Sequence, residues 1–183
     1  MQPEWWMWLG GRPALDFVNT AHDERLHSVA DVVDWLVRAR LLARPMRAPH
    51  SVLAEARELR GAIDAGVRAA VSGAAPDSAA LALVNDWLAL GGSRPSLHAG
   101  ADGHPVLSQR PTADSPRRAL GAVALDAARM LGISAERERL RICAADECAV
   151  RFYDRSPGGR RRWCSMALCG NRAKARAYRE RAA

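Results

Sequence analysis

The chain has 183 residues, 49% apolar and 26% charged, with a net charge of +7. That length accommodates one ordinary hydrophobic core plus a small extra module, and the composition is that of a soluble globular protein. No apolar run approaches the ~20 residues of a membrane helix, which excludes a helical membrane protein.

The opening Trp5-Trp6-Met7-Trp8 cluster is too short and wrongly flanked for a secretory leader, so the expected compartment is the reducing cytoplasm. Gly10-Gly11-Arg12-Pro13 marks a turn. Leu15-Asp16-Phe17-Val18-Asn19-Thr20 then reads as a short strand or the start of a helix; so few residues carry no decisive period. Asp16, Asn19 and Thr20 are polar groups inside this apolar stretch. They do cap and turn chemistry, or Asp16 and Asn19 line a pocket with Trp5, Trp8 and Phe17 where the body senses a small-molecule effector. His22 and His27 with Asp16 and Asp23 are the clustered histidines outside the cysteine segment, and read as surface polar groups rather than a second metal site.

Ser28 with Asp31 is a capping pair, followed by Val29, Val32, Val33, Leu36, Val37 and Leu41 at helical spacing, with Pro45 as the stop. A second helix is expected from about Ser51 to Val71, with Gly73 after it. A third is capped by Asp77 and ends at Gly91-Gly92. Residues 96–99 and 105–108 read as two short strands around a turn. A fourth helix has Ser115 as cap, Pro116 at its first position and Gly132 at its close. Residues 133–140 read as a link, with a boundary near Ala135.

The last part differs from the rest. Residues 1–140 carry sixteen arginines and sixteen acids, whereas residues 141–183 carry ten arginines and one lysine against four acids. The whole excess of positive charge therefore lies in this segment, which suits a polyanionic partner. All four cysteines lie here as well, as Cys143-x4-Cys148 and Cys164-x4-Cys169, separated by fifteen residues. Two disulfides belong to small secreted domains; in a reducing compartment four thiols at this spacing predict one structural zinc ion. Leu140–Cys143 and Val150–Asp154 read as strands, Ser156–Gly159 as a turn and Arg160–Trp163 as a third strand. Ser165 caps a helix whose first turn holds Cys169. Some forty residues bury too little apolar surface to fold alone. Loss of the metal is therefore expected to unfold residues beyond about 140 and leave the body helical.

Arg172, Arg176 and Arg179 fall at i, i+4 and i+7 on that helix, with Lys174 beside them and Arg160, Arg161 and Arg162 in the preceding strand. These residues predict contact with double-stranded DNA. Asn171 is either the base-reading side chain, pairing bidentately with adenine, or a structural bond to the backbone around Gly170.

Trp163-Cys164-Ser165-Met166-x-x-Cys169-Gly170-Asn171-Arg172-x-Lys174 resembles the signature of the CGNR zinc-finger family, and Gly10-Gly11 through Leu15-Asp16-Phe17-Val18-Asn19-Thr20 resembles the leading motif of the ABATE domain that accompanies it. The resemblance spans essentially the whole chain. It implies a stress-induced transcriptional regulator whose finger binds DNA.

No nucleotide-binding, metalloprotease or nucleophile-elbow motif is present, and four thiolates leave zinc no open position, so no enzyme is expected. The expected fold is mainly α with a small β-hairpin and a C-terminal treble-clef-like zinc finger of the ββα type. Residues 1–135 form a mostly helical body for sensing or homodimer formation, and residues 136–183 form the finger. The competing functions are an adaptor docking its basic finger on an acidic protein, and an RNA binder. Phe152, Tyr153, Trp163 and Tyr178 are the finger's only aromatics able to stack bases, which disfavours single-stranded RNA.

Overall fold

A computed structural model describes residues 5–90, 96–108 and 113–182. The elements in chain order are α1 (Pro13–Val18) with a 3₁₀ turn at Asn19–Ala21, α2 (Val29–Arg38), α3 (Ser51–Ser72), α4 (Ser78–Leu90), β1 (Ser96–Ala99) and β2 (Pro105–Ser108). There follow α5 (Pro116–Gly132), α6 (Ser134–Arg137), β3 (Leu140–Ile142), β4 (Arg151–Tyr153), a π-helical turn at Met166–Gly170, and α7 (Asn171–Ala182). No described helix is long and apolar enough to cross a membrane. The mainly helical class with a small hairpin is as expected.

The caps that the sequence marks are present. Ser28 and Asp31 exchange hydrogen bonds as a capping box. Asp77 accepts from Ala79 N and Ala80 N, Ser115 accepts from Arg118 N, and Gly73 closes α3 at φ 73° in the left-handed region. The stop expected at Gly91-Gly92 lies outside the described residues. The 133–140 link contains one more helical turn, α6.

Residues 13–18 resolve the ambiguity of the first motif: they are a helix, and five of its six residues are buried. Six residues do not hold a helix by themselves. This one starts with proline and borrows its cap from α5. Asp126 accepts from Ala14 N at 3.0 Å and from the Arg12 guanidinium at 2.7 and 2.9 Å, while Arg12 also reaches Glu136 at 2.6 Å. Leu15, Phe17 and Val18 then pack between α3 and α5, each burial worth about 1.5–3 kcal/mol.

The core forms where Val52, Ala56, Leu59, Ile63 and Val67 of α3 meet Leu120, Val123, Ala127 and Met130 of α5. Trp35 of α2 closes one end, 5.0 Å from the Phe17 ring and stacked on Trp8 at 5.9 Å. Leu140 of β3 is fully inside this same core, and Tyr153 of β4 packs against it. The boundary read near Ala135 falls within α6, and the elements on its two sides share one core.

β3 and β4 pair antiparallel, with Leu140 opposite Tyr153 and Ile142 opposite Arg151. The third strand expected at Arg160–Trp163 does not form. Arg160–Trp163 is an extended segment without a ladder; Arg162 O accepts from Ala144 N and Arg161 N donates to the buried Asp154 carboxylate. Phe152 of β4, at zero exposure, packs with Val150 and the buried cysteines of the finger.

Candidate metal centre and basic surface

The β3–β4 hairpin carries the first thiol pair in its loop. Cys143 follows β3, and Cys148 N turns back to Ala145 O. The second pair flanks Ser165, whose hydroxyl accepts from Leu168 N and whose carbonyl accepts from both Cys169 N and Gly170 N. That double acceptance is the π-helical turn, and it swings Cys169 back over Cys164. Cys143, Cys164 and Cys169 are buried and Cys148 is half-buried.

The four Sγ atoms lie within 4.8 Å of one another. Cys148 to Cys164 is 3.8 Å and Cys164 to Cys169 is 3.7 Å. Those distances exclude disulfide bonds, and they match the edge of about 3.8 Å that a tetrahedron of sulfurs 2.3 Å from zinc must have. Burial pushes the Cys148 and Cys164 thiols up, which disfavours free thiolates here, and a divalent cation held by all four would offset that cost. Cys169 is buried too, yet its thiol is pulled below the usual range by the hydrogen bond from Arg172 and by its sulfur neighbours. The four residues fit one zinc ion. No ligand position remains for water, so the ion is structural.

Around this centre the expected basic contacts divide. All eight of Arg160, Arg161, Arg162, Asn171, Arg172, Lys174, Arg176 and Arg179 are exposed. Arg172 donates to Cys169 Sγ at 3.4 Å. Arg176 pairs with Asp146 of the first cysteine loop and with Glu180. The 172/176/179 face therefore looks onto the groove between that loop and α7. Arg161 donates to Cys164 O at 2.7 Å and covers the Phe152 ring, while Arg162 lies over Trp163. Asn171 Nδ2 donates to Ala167 O at 3.4 Å. Among the described residues Arg160, Lys174 and Arg179 hold no ion pair. Lys174, Tyr178 and Arg181 recur at i, i+4 and i+7 on the outward face of α7, and Tyr178 is 69% exposed.

The five residues expected around an effector pocket do not converge. Phe17 is fully buried, Trp8 is stacked on Trp35, and Trp5 is exposed. Asp16 accepts from Gly10 N at 2.7 Å. Asn19 spends its whole amide on β4: Nδ2 donates to Arg151 O and Oδ1 accepts from Arg151 N, both at 2.9 Å. Local turn and docking chemistry takes these polar groups. The motif's real task, holding the finger, left no signal because its partner lies 132 residues away. An apolar cavity of about 450 Å³ does exist, but between α3, α4 and α5, lined by Ala62, Gly66, Ala69, Leu81, Val84 and Leu131.

Residues 11–133 match the ABATE family, described as "Putative stress-induced transcription regulator", and residues 139–182 match the CGNR zinc finger. No curated protein matches the chain. With its four thiols gathered and its leading motif docked on the finger, the chain belongs to the ABATE family and carries a CGNR zinc finger at its C-terminal end.

Proposed function

We propose that this protein is a cytoplasmic, non-enzymatic transcription regulator that binds duplex DNA through its zinc finger, with the helical body receiving a small-molecule signal. The observation that carries the reading is charge: the entire excess of +7 sits in residues 141–183. α7 supports it by shape. Its twelve residues extend about 18 Å, its alanines keep it slender, and it packs chiefly on the turn before it. The contacts best placed for phosphates are Lys174, Arg181, Arg179 and Arg160, with Asn171 at the near end. Arg172 and Arg176 brace the finger instead.

The test is selection of bound sequences from random duplex DNA by the zinc-loaded chain, with and without chelator. Neutralising about four phosphates gives a slope of roughly −3.6 in log affinity against log salt. The Lys174→Glu/Arg181→Glu pair is expected to weaken binding to every duplex and leave zinc content unchanged. Absence of any salt-sensitive duplex binding sinks the reading. A second reading, docking on an acidic protein, is favoured by Met166 and Leu168, which are 47% and 53% exposed beside the basic helix. RNA is disfavoured: Phe152 is buried and arginines cover Phe152 and Trp163.

A further inference from the structure

A second cavity, about 290 Å³, opens at the seam where the body meets the finger. Arg57, Arg60 and Gly61 of α3 form one wall, His22 and Asn19 another, and Ala149 and Arg151 of the finger the third. Three guanidiniums face one lining carboxylate, Asp64. Arg151 binds Asp64 through Nε and Nη2 at 2.7 and 3.0 Å, and Arg68 adds a contact at 3.4 Å. Just outside the lining, Glu24 takes Arg60 at 2.6 and 2.9 Å. Arg57 is left over. Its guanidinium donates only to Leu26 O, and among the described residues it has no ion pair. Arg60, with 8% of its surface exposed, is fixed in place by Glu24 and by the bond from its Nη1 to Thr20 Oγ1 at 3.1 Å.

Gly61 supplies an independent observation. Glycine inside a helix costs about 1 kcal/mol relative to alanine. Gly66, five residues on, has a packing reason: a Cβ there would meet Leu131 at 2.8 Å. Gly61 has none, because a Cβ there would meet nothing within 4 Å. Nor is its backbone in the left-handed region. Gly61 lines the cavity, and the space beside its Cα is open.

We propose that this seam binds a small oxyanion, a carboxylate or phosphate group on a compact molecule, gripped chiefly by Arg57, the guanidinium without an ion pair, with Arg60 beside it. Guanidinium forks suit both head groups. The volume is at the small end of ligand sites, about 300–1,000 Å³. The apolar cavity between α3, α4 and α5 is lined by a single guanidinium, Arg137, already donating to Leu131 O and Ser134 Oγ, with no second one beside it. The inference deepens the sensing half of the proposed function and rests on it only for its regulatory meaning; binding is tested without DNA, so either can fail alone.

The zinc-loaded full chain is titrated with inorganic phosphate and, separately, with succinate, at ionic strength held constant with sodium chloride. Amide NMR shifts are expected to saturate at residues 57–64 and 149–151. Saturation by phosphate alone or succinate alone assigns the head group. Gly61→Leu, which fills the opening, is expected to abolish those shifts while those on α7 persist. Arg57→Gln should weaken binding about tenfold or more through loss of a charge-assisted bond. Shifts confined to α7 for both probes, or equal binding by Gly61→Leu, overturn the proposal. Should Gly61→Leu not fold, Arg57→Gln decides: unchanged affinity overturns it as well.

Discussion

Burial treats the two polar side chains of the first motif differently. Asn19 is neutral and finds a matching donor and acceptor on Arg151, which offset its desolvation. Asp16 finds one donor, Gly10 N, and burial, with Asp126 nearby, pushes its carboxyl up to about 7. An acid with a raised native value holds its proton in the folded state and loses it in the unfolded chain. Stability therefore falls as pH rises from about 4 toward 7, on the order of 4 kcal/mol. Glu24 does the opposite: the bond from Arg60 holds it near 2, so its contribution is present above about 4.5 and lost as pH falls toward 2. Denaturant melts across pH should peak between the two windows. In Asp16→Asn, whose Oδ1 still accepts from Gly10 N, the decline between pH 4 and 7 should flatten; an unchanged profile would show that Asp16 titrates normally.

Elements were legible where their signals are local. The caps at Ser28, Asp77, Ser115 and Gly73 involve neighbours within a few positions, and four helices follow from them. The four cysteines were legible because metal spacing is itself a local pattern. α1 was not, since its cap comes from Asp126, 112 positions away. Arg160–Trp163 read as a strand because its neighbour in sequence was the obvious partner, whereas β3 was nearer in space. The turn joining the metal centre to α7 changes the meaning of a motif residue in the same way. Arg172 shares a face of α7 with Arg176, and past the π turn at Met166–Gly170 that face meets the metal centre, where Arg172 reaches Cys169 Sγ. It then steadies the thiolate of a ligand, and such outer contacts typically contribute 10–100-fold in metal affinity. Arg172→Gln should lower zinc affinity by roughly tenfold in chelator competition, while Lys174→Gln leaves it unchanged. Equal affinity in both variants would return Arg172 to the list of phosphate contacts.

At the scale of the molecule, the finger and body are stitched rather than strung together. Gly10 stands at the crossing: its N–H goes to Asp16, its carbonyl accepts from Tyr153 N at 2.8 Å, and a Cβ there would sit 2.7 Å from the backbone of Asp16. Asn19 on Arg151, Arg151 on Asp64 and Leu140 in the core add to the seam. A small metal module draws much of its folding energy from the ion. Here its hairpin also covers one side of α1, a helix too short to stand unaided. Removing zinc should therefore reach past residue 140, further than a separate finger would allow. Hydrogen exchange after chelation is expected to show lost protection at residues 13–20 and 151–153 together, while the α3 and α5 amides, whose mutual packing needs no metal, stay slow. Were exchange to accelerate only beyond residue 140, body and finger would be energetically independent, and a signal received at their seam would have no route into α7.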